Sequence, residues 1–534
     1  MSFQRINPEC KEQLLLLSMV IVEDMDKRRD IPPLRAHAES SRLTRRQIMQ
    51  GTVALVASSL LPGCGSSNST GVPQPNPQPA PPGPLTQASL TVVDTAAGSI
   101  GPAFAGLSYE KSKLYGPLFT ASNSDLIGMF KRLGPSVLRI GGNSVDRNVW
   151  TPNGPGQTAG QIAPSDVDSL AAFVKAAGWQ CLYGINLGGA ATGATTPALA
   201  AAEVAYAAQQ FGSSLLGIEI GNEPDLYGHA GNYFAGNWSL SQFLTLWGQF
   251  REAILASTPS VPITGPADAG NESTWTVPFG ETVTKSEITL LTQHYYRANG
   301  QLPTSTAAYL ITPDPALIAN LAILAPGAQS IGVPYRMSEC NSFYNGGSSG
   351  VSDSYASSLW VIDYLFNCAQ GGAVGVNFHG GGDGPGYTPI ADDAGSVVGA
   401  RPEFYGILLF TLAGQGTLYT TQVSAGSLNV TAYAVKTSSG GLNLIVVNKD
   451  LTQNLQFTAQ LPQSASSATL LAMTQLTSGA TAPDLSATLG VTIQGASVNP
   501  DGTFAPSAAY TLNPSGSQLT CYVPALSAVL IQIA

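Results

Sequence analysis

The chain has 534 residues, 44% apolar and 10% charged, with 58 glycines and a formal net charge of −10. That composition excludes a charge-driven disordered chain, and the length allows roughly three or four domain-equivalents. Beyond residue 62 there are 14 basic against 26 acidic side chains, a net of −12, which excludes the basic surface that nucleic acid requires.

Residues 1–64 read as a delivery segment. Thr44-Arg45-Arg46-Gln47-Ile48-Met49 precedes a short apolar run that ends at Leu60-Leu61. A basic pair before such a run is an export signal, and this one resembles the twin-arginine type. The run is too short for a bilayer, which needs ~20 apolar residues. Leu61-Pro62-Gly63-Cys64 resembles a bacterial lipoprotein cleavage site with Cys64 acylated. The expectation is an exported protein, periplasmic or extracellular, that meets a membrane only through a lipid on Cys64. Residues 65–87 are Ser/Asn-rich and then Pro-rich, an extended tether without a core.

From Ala88 short apolar strands alternate with amphipathic stretches, the pattern of a parallel α/β fold. The predicted strands are Phe104–Glu110, Val137–Gly142, Gln180–Leu187, Leu215–Glu223, Val261–Ala267, Glu287–Tyr296, Pro334–Asn341 and Ala373–Gly380. Between them Leu126, Met129, Phe130 and Leu133 share one helical face, as do Phe243, Leu246, Trp247, Phe250 and Ile254. Helix starts are marked by Ser165-x-x-Asp168 and Ser239, and Glu403–Leu412 follows as a last helix. Eight strand–helix pairs predict a (β/α)8 barrel, a TIM barrel over residues 88–416. The remainder, 417–534, holds strand-like segments divided by Gly, Ser, Asn and Pro and predicts an all-β sandwich, to which residues 88–95 offer an extra strand. Cys181, Cys340, Cys368 and Cys521 are too scattered for a disulfide framework and are expected reduced and buried. With four histidines in the chain, one of them in the leader, a metal site is not expected, nor is any cofactor.

Function in such a barrel sits where strands end. The fourth strand ends Gly217-Ile-Glu-Ile-Gly-Asn-Glu223-Pro224 and the seventh Arg336-Met-Ser-Glu339-Cys-Asn341. Alternation puts Glu219, Gly221 and Glu223 on one face, and Met337, Glu339 and Asn341 on another. Two carboxylates facing across a barrel mouth suit glycosidic cleavage, one protonating the leaving oxygen while the other attacks or activates water. Arg139 and Glu219 both sit in apolar strands with inward parity, so Arg139 is expected to pair with Glu219 or to steady Glu339 from beneath. His294 and Cys340 take the outward parity and are expected to be structural.

With these motifs on hand, the sequence resembles the clan A glycoside hydrolases, and more closely glycoside hydrolase family 79, the β-glucuronidase and heparanase family. The resemblance rests on Gly106-Leu-Ser-Tyr-Glu110, Leu138-Arg-Ile-Gly-Gly-Asn143-Ser-Val-Asp146, Ile218-Glu-Ile-Gly-Asn-Glu-Pro224, Gln293-His-Tyr-Tyr296, Ser338-Glu-Cys-Asn-Ser-Phe-Tyr344 and Gly384-Pro-Gly-Tyr387. It implies an exo-β-glucuronidase that acts on a uronic-acid glycoside as a monomer, by a retaining mechanism with a glycosyl-enzyme intermediate. Residue by residue it implies Glu223 as acid/base, Glu339 as nucleophile, Asn222 at the sugar 2-hydroxyl and Tyr295 as donor to the nucleophile. It implies Tyr344, Gly386 and Tyr387 at the substrate carboxylate, and Glu110, Asn143 and Asn271 at the other hydroxyls. The alternatives are an endo-acting, heparanase-like enzyme, another clan A specificity, and a carbohydrate-binding lipoprotein with an inactive barrel.

Overall fold

The computed structural model describes residues 76–236 and 238–534. The export signal, Cys64 and the first part of the tether lie outside them. Eight parallel strands close into a barrel in the order Ala105–Glu110, Val137–Gly141, Gln180–Ile185, Leu215–Ile220, Ile263–Asp268, Leu290–Asn299, Tyr335–Tyr344 and Val376–Gly380. All eight match predicted strands, because a strand covered on both faces reads as a continuous apolar run. The sandwich-forming region is one ten-stranded sheet that curls over an apolar core of its own.

The helices answer the barrel strands as their periodicity predicts. Leu126, Met129, Phe130 and Leu133 are all buried on helix Ser124–Leu133. The N-cap expected at Ser165 lies two residues earlier, at Ala163: the helix is Pro164–Ala177, and the Asp166 carboxylate accepts from the Ala163 N–H at 2.9 Å. Below the strands' N-terminal ends, the Arg336 guanidinium is buried, donating to Asn377 Oδ1 at 2.6 Å and to three backbone carbonyls. That end is filled, so the usable mouth is at the C-terminal ends of the strands.

The sheet takes in residues from both sides of the barrel. Strand Leu85–Ile100 pairs antiparallel with Gly416–Ser424 and parallel with Asn454–Gln460. Preceding it, the chain is already laid on the sheet: Asn76 Nδ2 donates to the Ala508 carbonyl, and Gln78 exchanges two hydrogen bonds with the Tyr522 backbone. The expected free tether through residue 87 is therefore corrected from residue 76 onward, where asparagine and glutamine side chains pair with strand-edge backbone that proline cannot serve. Strands Gly416–Ser424, Val491–Ile493, Tyr510–Leu512 and Gln518–Val523 were not anticipated, being short or rich in Thr, Gln and Ser.

Alternation along strand Val430–Thr437 joins the two layers. Ala432 and Ala434 face the inner core of the sheet, whereas Tyr433 and Val435 face barrel helices Tyr355–Gln370 and Pro402–Leu412. The Phe366 ring stacks on Tyr433 at 4.2 Å and meets Phe410 edge-on at 4.9 Å. Beside it, buried Lys449 and the hydroxyls of Thr431 and Tyr433 all donate to Asp363. Phe366→Ala is expected to destabilise the protein by about 3–5 kcal/mol through the cavity left between barrel and sheet. Denaturant unfolding followed by tryptophan fluorescence measures this, and an unchanged midpoint would place the ring outside the shared core.

Candidate active site

The mouth of the barrel is organised on one buried cation. Arg139, in the middle of the second strand, is completely covered. Its Nε donates to Glu219 Oε2 at 2.6 Å, Nη1 to Glu339 Oε2 at 2.5 Å and Nη2 to Asn222 Oδ1 at 2.9 Å. A planar guanidinium presents its donors in a fixed fork, so three side chains from strands four and seven are set in one plane. Space for the fork comes from Gly141, where a Cβ would lie 2.3 Å from the guanidinium carbon. Both expected roles of Arg139, as partner of Glu219 and as support for Glu339, are met together.

Glu223 reaches the mouth by a different route from the one its spacing implies. The fourth strand ends at Ile220, and Glu223 stands in the following turn with φ 49° and ψ 54°. Its amide donates to the Ala267 carbonyl at 2.8 Å, which holds this left-handed conformation in place. One carboxylate oxygen of Glu223 and one of Glu339 lie within 4.8 Å of each other. The two candidate carboxylates thus converge on one small volume.

Their environments push them apart in acidity. Burial, followed by repulsion from the Glu339 carboxylate, raises the Glu223 pKa from its ordinary 4.5 to about 8. Burial also opposes ionisation of Glu339, but the neighbouring cations and a hydrogen bond from Tyr296 prevail, and its pKa falls well below the carboxylate range. His294 is itself driven down to about 4, by burial and by Arg139, so at neutral pH it is uncharged. The cations that hold Glu339 ionised are therefore Arg139 and His379, whose Nδ1 is 3.5 Å from Glu339 Oε2.

Strand six corrects one expected residue. Tyr295 points outward and donates to Asp314 Oδ2 at 2.8 Å. Tyr296 is the donor to the nucleophile candidate, with its hydroxyl 2.7 Å from Glu339 Oε1. His294, expected to face away, lies inward with Nδ1 3.1 Å from Glu223 Oε1. Strand six alternates regularly, with His294 and Tyr296 inward and Tyr295 outward, so the tyrosine that the resemblance implied is one position off. Two adjacent tyrosines leave nothing in the motif to show which of them carries the role.

The remaining expected residues divide. Asn222 is buried beside Glu223, and its Nδ2 makes no hydrogen bond to any described residue, leaving a donor at the mouth. Tyr387 lines the same space, 5.8 Å from the Tyr296 ring and 6.0 Å from His379 between ring centres. Gly386 has φ 128°, and a Cβ there would lie 2.0 Å from the Gly346 carbonyl oxygen, so its loop is packed against the one that follows Tyr344. Tyr344 is 44% exposed and stands at that rim. Glu110 faces His379 across the first and eighth strands, while accepting from the Ser144 amide at 2.8 Å and the Asn143 amide at 3.2 Å.

Two more of the expected residues stand on exposed loops that follow barrel strands. Asn143 is exposed and meets Glu110 through its backbone amide. Asn271 is exposed and its side chain donates to Asp225 Oδ2 at 2.7 Å, tying the loop after Glu223 to the loop after strand five. The cluster Glu223, His294 and Glu339 has donor atoms close enough to cradle a metal ion. Arg139 already occupies the cationic position against Glu339, and a second cation there would meet its repulsion.

No family model matches the chain. Over 301 residues it is 24% identical to a β-glucuronidase of Aspergillus niger, an alignment covering 50% of this chain and 55% of that protein. The chain thus spans about half the length of that relative. Among solved structures it is similar to a 4-O-α-L-rhamnosyl-β-D-glucuronidase from Fusarium oxysporum 12S in complex with Rha-GlcA. The TM-score is 0.68 at 18% identity, over 83% of this chain and 99% of that one. A family 51 arabinofuranosidase from Xanthomonas axonopodis pv. citri follows at TM-score 0.59 and 15% identity, over 84% of this chain and 100% of that one. The fold is that of these barrel glycosidases, in agreement with the resemblance read from the motifs.

The raised pKa of Glu223 has a consequence for stability. Between about pH 5 and 8 the folded protein holds a proton on Glu223 that the unfolded chain releases, so its contribution to stability falls as pH rises through this window. Glu223→Gln removes that titration. Its melting temperature relative to the parent is expected to increase steadily from pH 5 to pH 8, and scanning calorimetry across this range checks the slope.

Proposed function

We propose that the protein is a retaining β-glucuronidase that removes a terminal glucuronic acid from β-glucuronosides. The observation that carries this reading is the pair Glu223 and Glu339, with oxygens within 4.8 Å and acidities driven in opposite directions. Retaining enzymes hold their carboxyl groups ~5–5.5 Å apart, whereas inverting ones leave ~6.5–9.5 Å for an intervening water. The likeness to a β-glucuronidase in sequence and to a rhamnosyl-glucuronidase in fold supports the choice of sugar.

In the first step the ionised Glu339 attacks the anomeric carbon from one face. Glu223, protonated up to about pH 8, delivers its proton to the departing glycosidic oxygen. The bond to the aglycone breaks as the ester bond to Glu339 forms. Esterification removes the negative charge whose repulsion helps to hold the proton on Glu223, so Glu223 becomes a better base for the second step. It then takes a proton from water, which attacks the same carbon and releases the sugar with its original configuration. Tyr296 and Arg139 hold the nucleophile in line, and the free Nδ2 of Asn222 is placed for the hydroxyl next to the anomeric carbon. The sequence reading of export, with a lipid at Cys64, remains part of this proposal.

An aryl β-D-glucuronide provides the test. Glu223→Ala and Glu339→Ala are each expected to lower kcat by about 10²–10⁴-fold or more while remaining folded. With azide, Glu339→Ala should form the α-glycosyl azide by a single displacement, identifiable by NMR. Full turnover by either variant would refute the assignment. Tyr296→Phe, which loses a hydrogen bond to a charged group, should cost about 1.5–3 kcal/mol in kcat/KM, while Tyr295→Phe should leave kcat/KM near the parent value. The reverse ranking of the two tyrosine variants would overturn the strand-six geometry.

A further inference from the structure

His379, one residue before the end of the eighth barrel strand, stands between the carboxylates of Glu110 and Glu339. Its Nδ1 is 3.0 Å from Ser108 Oγ and 3.5 Å from Glu339 Oε2. Its Nε2 is 3.8 Å from Glu110 Oε1, beyond hydrogen-bond reach. This nitrogen makes no hydrogen bond to any described residue, and it is not among the fully covered atoms left without a partner. It therefore opens onto the cleft. The ring is edge-on to Tyr387, 6.0 Å away, on the side where Gly386 and Tyr344 form the rim.

The charge inventory of the mouth gives this open nitrogen its meaning. Glu110, Glu219, Glu223 and Glu339 all converge here, and an anionic sugar adds a further carboxylate to them. Arg139 is completely covered and its donors are engaged by Glu219, Glu339 and Asn222. It stabilises the protein's own carboxylates and presents nothing to a ligand. Facing His379 are Ser108 and Glu110 from strand one, Arg139 from strand two, Glu339 from strand seven, and Tyr387 from the loop beyond. Against the loss on burial, the carboxylates Glu339 and Glu110 raise its pKa above the ordinary histidine value, which favours the imidazolium.

We propose that His379 is the cationic donor by which this site prefers a uronic acid to a neutral sugar, its Nε2–H facing the anionic end of the ring. This rests on the glucuronidase reading and extends it to a residue that the motifs did not single out. A phenolic hydroxyl and backbone amides orient a carboxylate but bring no net charge, whereas an imidazolium offsets the surrounding acids. The role is one of specificity: the chemistry at the anomeric carbon belongs to Glu223 and Glu339.

The test compares an aryl β-glucuronide with its 6-methyl ester, which differ at the sugar by one negative charge. His379→Gln, which keeps a neutral donor but removes the charge beside Glu339, should lower kcat/KM on both probes, and on the acid by about 10- to 100-fold more than on the ester. Equal losses on both probes, or none on the acid, would overturn the proposal while leaving the glucuronidase reading intact. If the parent enzyme cleaves other aryl glycosides but not the glucuronide, both fall. A second readout is inhibition by free glucuronate relative to glucose, followed against pH in the parent and in His379→Gln. Glu223 ionises in both proteins, so the fall in preference for glucuronate as pH rises should be shallower in the variant. An identical pH dependence in the two would overturn the proposal.

Discussion

A single guanidinium sets the geometry of the mouth. Arg139 cannot leave the barrel interior without stranding two carboxylates in an apolar wall, and those carboxylates cannot be buried without it. Because the fork is planar, fixing one of its partners fixes the others, and Glu219, Glu339 and Asn222 become one rigid unit drawn from two strands. Glu219 is as deeply buried as Arg139 and accepts from its Nε from below. Everything nearer the solvent is built on this platform.

From the same platform come two acids of opposite character. Glu339 lies against the cation and receives a phenolic hydrogen bond, while Glu223 is three residues beyond its strand and meets only a neutral imidazole. Burial affects both in the same sense, so burial alone cannot make them differ. What separates them is the number of positive neighbours and donors each can reach, together with the presence of the other. Removing the charge of one changes the acidity of its partner, which is the behaviour that a two-step displacement requires.

Much of this architecture was legible in the residues, and the failures have identifiable physical causes. The eight barrel strands stand out because each is apolar on both faces, and Arg139 and Glu219 stand out because charge in such a strand needs a partner. Glu223 and Glu339 follow from their positions at strand ends. The resemblance points to Tyr295 in place of Tyr296 because two adjacent tyrosines offer the same hydroxyl to a motif, and only the facing of the folded strand separates them. His379 was passed over because a histidine followed by Gly380 reads as an ordinary strand terminus, and its carboxylate neighbours come from strands distant in sequence. The contact of Asn271 is not announced by its own sequence, since its partner Asp225 comes from another loop. In the sheet, Val491–Ile493 and Tyr510–Leu512 are hidden because three residues make no readable alternation, and Gly416–Ser424 because its polar Thr, Gln and Ser blur it.

The pairing of Leu85–Ile100 with Gly416–Ser424 and Asn454–Gln460 means that the barrel is an insertion within the sheet. During synthesis this early strand is made more than 300 residues before its partners. Until they emerge its edges are unpaired, a state prone to sticking to other chains. Once joined, the same strand acts as a clasp across the base of the barrel, so trimming the sheet from the far end would undo the first strand as well as the last.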